Sequence, residues 1–394
     1  MSIKDVARAA GVSTATVSHV INNSRFVSEE TRARVLRAVE ECHYYPNAQA
    51  RSLASGQSRI LGLLISDITN PFFPELVKAI EAAGFERGYD VLLSNTNYEP
   101  GRTSHYVRRL IEHKVAGVAL MTSELDPTLV DDLARRHVPV VFLDLGATGV
   151  NMSNMCIDYE SGIEDAVRHL AALGHERLAF VGGPARLRSA VRRREAFVQS
   201  VSRLLPSAAP LIYEGDFKFE GGRDAARKLL RRRVAPTAVM TANDMMAFGV
   251  LHELRAAGLR VPEDVSLVGF DDVAFASLSQ PSLTTVRLPR AELGRRAVEA
   301  LLATLEDPAR MGVEIQVPTY LIQRGSTAAP PLSARRGRKV SPASEARAAA
   351  SAEKKGGASA AGKKGNGARA QAVSAGDRGN RRASRRRGEG GRQG

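Results

Sequence analysis

The chain has 394 residues, 43% apolar and only 5% aromatic, with no Trp. It is long enough for two or three domains with mainly aliphatic cores. Its formal charge of +14 resides almost wholly at the end: residues 333–394 carry 17 Lys and Arg against 4 Asp and Glu, so total charge is no argument for nucleic-acid binding by the rest. There is no apolar run near 18 residues and no leader-like start, which argues against a membrane span or export. Cys42 and Cys156 are too few and too unpatterned for a disulfide framework or a metal site, so a cytoplasmic protein without metal or cofactor is expected.

Ile3 to Ala10 places Ile3, Val6, Ala7 and Ala10 on one helical face. Gly11 stands where a left-handed C-cap belongs, Val12 fills the corner, and Ser13 is a natural N-cap for a second helix, Thr14 to Ile21. Val17, Val20 and Ile21 of that helix point inward. A third helix starts at Ser28 with Glu29 and Glu30 favourably placed on its dipole, and its Val35, Leu36 and Val39 are expected to close a three-helix core. Two helices joined by a tight turn read as a helix-turn-helix.

The run Ile3-Lys4-Asp5-Val6-Ala7, then Gly11-Val12-Ser13 and Thr16-Val17-Ser18-His19-Val20-Ile21-Asn22, resembles the headpiece of the LacI/GalR repressor family. So do Val27-Ser28-Glu29-Glu30-Thr31-Arg32, Tyr45-Pro46-Asn47 and Ala50-Arg51-Ser52-Leu53, and within the family the likeness is greatest to the ribose and purine repressors. The resemblance spans roughly residues 2–328. It implies that Thr14, Ala15 and His19 face base edges in a major groove, while Thr16, Ser18, Asn23, Arg25 and Ser28 meet phosphates. It also implies a homodimer on a near-palindromic double-stranded operator.

Asn47 to Gly56 reads as a short helix with an Asn cap and a Gly stop, marginal without a partner because nucleation is costly. Its one large apolar side chain is Leu53. The family's hinge helices pair in the minor groove, where a Leu wedges into the central base step; by resemblance Leu53 holds that place, with Ala50 and Arg51 beside it on the DNA.

From Ile60, strand-like runs (60–66, 91–94, 117–122, 138–144, 178–182, 211–214, 238–241 and 265–270) alternate with helical stretches. Two rounds of this repeat predict two doubly wound α/β lobes, with the stretch 283–289 and its following helix crossing back to the first lobe. Ligands in such sheets bind beyond the carboxyl ends of the strands. The residues there look like the pocket of periplasmic ribose-binding proteins, whose fold the family shares. The resemblance implies that Asn70, Phe72, Phe73, Asp144, Arg193, Phe217, Asn243 and Asp271 line a cleft for a small sugar effector. Arg287, where those proteins have a Gln, is either a further effector contact or the partner of a nearby acid. Leu145 stands where they have an Arg, and Asp244 is expected to cap the following helix.

The predicted layout is therefore a DNA-binding headpiece (1–46), a hinge (47–59), a two-lobed effector and dimerisation module (60–328), and a basic tail (329–394) whose composition cannot bury a core. An enzyme is disfavoured, since there is no P-loop, Gly-rich dinucleotide turn, H-E-x-x-H or nucleophile elbow. A purine co-repressor is the alternative effector. An architectural protein coating DNA through the tail is the alternative of another class.

Overall fold

The structure is a computed structural model that describes residues 1–45, 58–122, 127–144 and 148–331. The hinge residues Ala50, Arg51 and Leu53, together with Leu145 and the basic tail, lie outside the described residues.

The headpiece comprises α1 (Ile3–Ala10), α2 (Thr14–Asn22) and α3 (Glu29–Glu41). Local chemistry sets each boundary. Gly11 takes φ 64°, and the Val12 amide donates back to the Ala7 carbonyl (3.0 Å). The Ser13 hydroxyl accepts from the Thr16 amide (3.1 Å), and that of Ser28 accepts from the Thr31 amide (3.4 Å). Val6, Val17, Val20 and Val35 are buried together with Ala7, Ala10, Ala38 and Cys42. Leu36, expected in this core, is 47% exposed. The buried face of α3 runs 35, 38, 42, and position 36 lies about 100° round the helix from it.

Beyond the headpiece lie two six-stranded sheets. The first contains β1 (Ile60–Ile65), β2 (Asp90–Asn95), β3 (Gly117–Met121), β4 (Val140–Leu143), β5 (Met152–Ile157) and β11 (Glu314–Val317), in the order β11-β5-β4-β3-β1-β2 and wholly parallel. The second contains β6 (Leu178–Gly182), β7 (Leu211–Glu214), β8 (Ala238–Thr241), β9 (Ser266–Asp271), β10 (Thr284–Arg287) and β12 (Tyr320–Ile322), in the order β12-β10-β9-β8-β6-β7. Only β12 is antiparallel. Helices cover the faces: α4 (Phe72–Phe85), α5 (Pro100–Glu112), α6 (Pro127–Arg135) and α12 (Arg290–Glu306) in the first lobe, and α7 (Tyr159–Ala172), α8 (Arg188–Leu204), α9 (Phe219–Leu230), α10 (Asp244–Ala256) and the short α11 (Ala274–Leu278) in the second. Central strands are continuous apolar runs because both of their faces are covered. Every residue of β3, β6 and β8 is buried. Among the described residues, no helix is long and apolar enough to cross a membrane.

The chain passes between the lobes three times, from β5 to α7, from β10 to α12 and from β11 to β12. The expectation that 283–289 and its helix return to the first lobe holds for the helix alone. Thr284–Arg287 pairs in register with Val268–Asp271 in the second sheet, and the return is made by α12, which packs on α4. That packing needs Gly294, where a Cβ would come within 2.7 Å of the Ala79 side chain. Two crossovers are tied together by Thr319, whose hydroxyl donates to the Asp158 carbonyl (2.5 Å) and accepts from the Gly162 amide (3.2 Å).

Candidate functional site

The carboxyl ends of both sheets face one cleft between the lobes, with an empty volume of about 530 Å³ including its mouth. Asn70, Phe72, Phe73, Asp144, Arg193, Phe217, Asn243 and Asp271 all line it. The turn before α4 delivers three of them: the Asn70 side-chain oxygen accepts from the Phe72 amide (3.1 Å), and Phe72 and Phe73 meet edge to face with centroids 5.1 Å apart. Asp144 follows β4, Phe217 follows β7, Asn243 caps α10 and Asp271 ends β9.

Arg193 occupies the middle of an aromatic nest. Its guanidinium carbon lies 4.2 Å from the Phe270 ring centroid, 5.0 Å from that of Tyr159 and 5.6 Å from that of Phe217. Nη1 donates to the Ala242 carbonyl and Nη2 lies 3.6 Å from Asp271 Oδ1, while the buried Nε has no hydrogen-bond partner. Across the cleft, Asp144 Oδ1 accepts from the Ile157 amide (3.0 Å) and from Arg192 Nη1 (3.1 Å), leaving Oδ2 buried and unpartnered. Arg192 belongs to the second lobe and Asp144 to the first, so this ion pair bridges the two.

Burial sets the electrostatics. It pushes the Asp144 carboxyl above the ordinary carboxylate value, opposed by the Tyr159 hydroxyl, the Ile157 amide and the two guanidiniums. It raises Asp271 to about 6 against the pull of Arg193 and Arg290, with Glu75 adding to the rise. The Tyr159 hydroxyl is raised well above its usual value by burial and by Asp144 beside it. The backbone is unusual here too. Tyr98, Asp144, Phe217 and Asp271 line the cleft with φ of 56°, 61°, 65° and 112°. Positive φ in non-glycine residues costs of order 1–3 kcal/mol each and gathers at functional sites.

Of the two roles expected for Arg287 the structure shows the partner of a nearby acid, and Asp244 departs from its expected role. Arg287 does not line the cavity: its guanidinium is tied to the Asp272 carboxylate and lies 5.8 Å from the Tyr320 ring centroid. Just beyond β10, Leu288 lines the cavity instead, as the alternation of side chains along an extended chain requires. Asp244 is not the helix cap. Asn243 accepts from the Met246 amide (3.0 Å), while Asp244 is buried and accepts from the Thr285 hydroxyl (2.6 Å) and the Val273 amide (2.9 Å). Asn243 itself is committed to structure, since its Nδ2 donates to the Phe217 carbonyl (2.8 Å) and so fixes that ring. Tyr98, Tyr159 and Ser189 also line the cleft, and sequence reasoning missed them. Tyr98 stacks on Phe217 across the lobes, with centroids 6.4 Å apart and planes 28° apart. The one usable signal for it was an aromatic residue just after a strand-like run.

In the headpiece, Thr14 and Ala15 are exposed at the start of α2, and Ala15, Ser18, His19 and Asn22 share its outer face by helical spacing. His19 Nδ1 pairs with the Ser24 hydroxyl (2.9 Å), and Ser18 accepts from Asn22 (3.1 Å). The Thr16 and Ser13 hydroxyls pair at 2.9 Å, and Asn23 accepts from Arg32 (2.9 Å). Arg25 is exposed, and Ser28 caps α3.

Residues 2–47 match the family described as bacterial regulatory proteins, lacI family, and residues 167–327 match the periplasmic binding protein-like domain. The chain is 38% identical over 329 residues to the ribose operon repressor of Escherichia coli (strain K12), covering 82% of this chain and 99% of that protein. It is 37% identical over 308 residues to the transcriptional repressor PurR of Aliivibrio salmonicida, covering 78% and 92%. Among solved structures, the lac repressor dimer bound to operator and the anti-inducer ONPF superposes with a TM-score of 0.74 at 31% identity, covering 84% and 99%. A LacI-family regulator from Enterococcus faecium with bound ribose gives 0.63 at 29%, covering 68% and 99%. A helix-turn-helix headpiece ahead of two lobes closing on a buried cleft, with relatives at this identity over nearly their whole length, places this chain in the LacI family of bacterial regulatory proteins.

Proposed function

We propose that this regulator represses transcription from a near-palindromic operator as a homodimer, and that a ribose-like sugar bound between its lobes controls its hold on DNA. Its relatives are repressors rather than enzymes, and the cleft groups have a binding role without a chemical step. Thr14, Ala15 and His19 are the base-reading positions, with Thr16, Ser18, Asn23, Arg25 and Ser28 on phosphate. The site of action is the cytoplasm, where the operator lies.

One observation carries the sugar reading: two buried polar atoms on opposite lobes, Asp144 Oδ2 and Arg193 Nε, lack partners on residues lining one cavity. A sugar hydroxyl both donates and accepts, so vicinal hydroxyls satisfy a carboxylate and a guanidinium at once by charge-assisted bonds. Unmet groups of this kind reject analogues lacking the hydroxyl. The Phe72, Phe73 and Phe217 rings cover the C–H surfaces. A purine is the second reading: Phe72, Phe73, Arg193 and Asp271 line the same cavity and offer ring faces, a donor and an acceptor to a flat base.

The test is a thermal-shift screen of the full-length chain against D-ribose, other pentoses, hexoses, sugar acids, hypoxanthine and guanine, followed by operator binding with each hit. A ligand bound only by the native state raises its stability. D-ribose or a close pentose shifting the transition and altering operator affinity is the expected result. A shift by purines alone replaces the sugar, and operator binding indifferent to every hit sinks effector control.

A further inference from the structure

Strand β9 ends in an elbow. Asp271 and Asp272 adopt φ of 112° and 55° in succession, a backbone path that L residues rarely take. Their carboxylates go different ways: Asp271 lies beside Arg193 in the cleft wall, while Asp272 is held by Arg287 and by Arg324 (2.6 Å). The carbonyls of both residues are held by one side chain, Arg290. Its Nη1 donates to the Asp271 carbonyl and its Nη2 to that of Asp272 (2.7 Å). Arg290 is the first residue of α12, which packs on the first lobe, and its Nε donates to Glu75 on α4 of that lobe (2.8 Å). The other Glu75 oxygen accepts from the Ala274 amide of the second lobe (3.2 Å). A guanidinium side chain only 12% exposed therefore ties both lobes to the elbow that carries a cleft carboxylate.

We propose that Arg290 is a positioning residue that makes the aim of the Asp271 carboxylate depend on the angle between the lobes, so that Asp271 meets an effector only when they are closed. This rests on the effector reading of the cleft given above. Rotation at the crossovers carries α12 and Glu75 away from β9, and Arg290 then surrenders either Glu75 or the two carbonyls. If it surrenders the carbonyls, the elbow loses the bonds that hold its unfavourable φ, and Asp271 swings. Arginine suits this task because its planar fork holds three acceptors in fixed directions, which a lysine ammonium on a flexible stem does not. The charged groups facing Asp271 are Arg193 from α8, Arg290 from α12, Glu75 from α4 and Asp244 from α10, with Asp272 next in the chain.

The test uses the full-length chain, with D-ribose affinity measured by calorimetry across pH and amide hydrogen exchange over residues 271–278 measured without ligand. Arg290→Lys keeps the charge and loses the fork. It is expected to weaken D-ribose binding at least tenfold at every pH and to speed exchange of the 271–278 segment. Glu75→Gln, which removes the first-lobe anchor, is expected to weaken binding and speed exchange likewise, and to move the midpoint of the pH profile down, because Glu75 raises Asp271. Wild-type affinity in Arg290→Lys overturns the proposal, as does a loss of affinity that follows the charge alone and appears only in Arg290→Met. Should D-ribose not bind the wild type, the ribose reading of the cleft fails. The exchange data then still decide the role of Arg290, since unchanged exchange in Arg290→Lys refutes the coupling.

Discussion

Replacing Arg193 by Met is the sharpest perturbation of the cleft, because Met fills the nest formed by Phe270, Tyr159 and Phe217 while removing the charge. The change brings two losses. The unpartnered Nε no longer donates to the effector, worth about 1.5–3 kcal/mol for a hydrogen bond to a charged group. Asp271, 3.6 Å from Nη2, also loses its nearest cation. Near a protein surface, two unit charges at about 4 Å interact by roughly 4 kcal/mol. Even a third of that lifts the Asp271 carboxyl from about 6 to near or above neutrality, turning an acceptor into a donor. Together these predict a loss of at least about 3 kcal/mol, or more than a hundredfold in affinity. Stability falls by about 1–3 kcal/mol, because the Ala242 carbonyl loses its Arg193 donor. The assay is calorimetry with the ligand that shifts the wild type, paired with operator anisotropy in its absence, which is expected to be unchanged. Effector affinity within threefold of wild type in Arg193→Met would refute the reasoning.

Effector affinity is expected to hold steady above pH 7 and to weaken by up to about tenfold per unit as pH falls below about 6, where Asp271 takes up its proton. The raised value means the folded chain holds that proton more tightly than the unfolded one. Asp271 therefore lowers stability as pH rises from about 4 to about 6 and adds nothing further above that, which urea titrations across this window will show. Arg287→Met is expected to leave effector affinity untouched, since Arg287 pairs with Asp272 outside the cavity, and to cost about 1–3 kcal/mol of stability, because the buried Asp272 Oδ2 loses its donor; a large fall in affinity returns Arg287 to the site. Leu53→Ala, at the hinge wedge implied by the family resemblance, is expected to lower operator affinity at least tenfold with effector affinity unchanged, by anisotropy and calorimetry. Truncation is best placed after Pro331, because the Ala328 backbone bonds His175 and Ser266. Loss of the basic tail is expected to reduce the salt dependence of binding to random DNA while sparing operator preference.

The headpiece was legible because everything that shapes it is local. A left-handed glycine at 11, hydroxyl caps at 13 and 28, and valines at helical spacing act within a few residues of one another, and only Leu36 was assigned to the wrong side of its helix. In the lobes, the alternating strand and helix pattern exposed the doubly wound class, and the family resemblance, with most of the positions lying just after the apolar runs, implied eight cleft residues that the fold brings together. Which sheet each strand joins was not legible. The short strand β10, Thr-Thr-Val-Arg, carries no pattern that assigns it to either sheet, and its place beside β9 depends on pairing with a partner 16 residues away. Arg287 and Leu288 show the same limit at a finer scale: one residue of register decides which side chain enters the cavity and which meets Asp272. Tyr98 on Phe217, Arg192 on Asp144 and Arg290 between Glu75 and the Asp271 carbonyl all join elements far apart in the chain. Local propensity and periodicity reach only neighbours in sequence, whereas these contacts exist because three crossovers bring two separately wound sheets face to face.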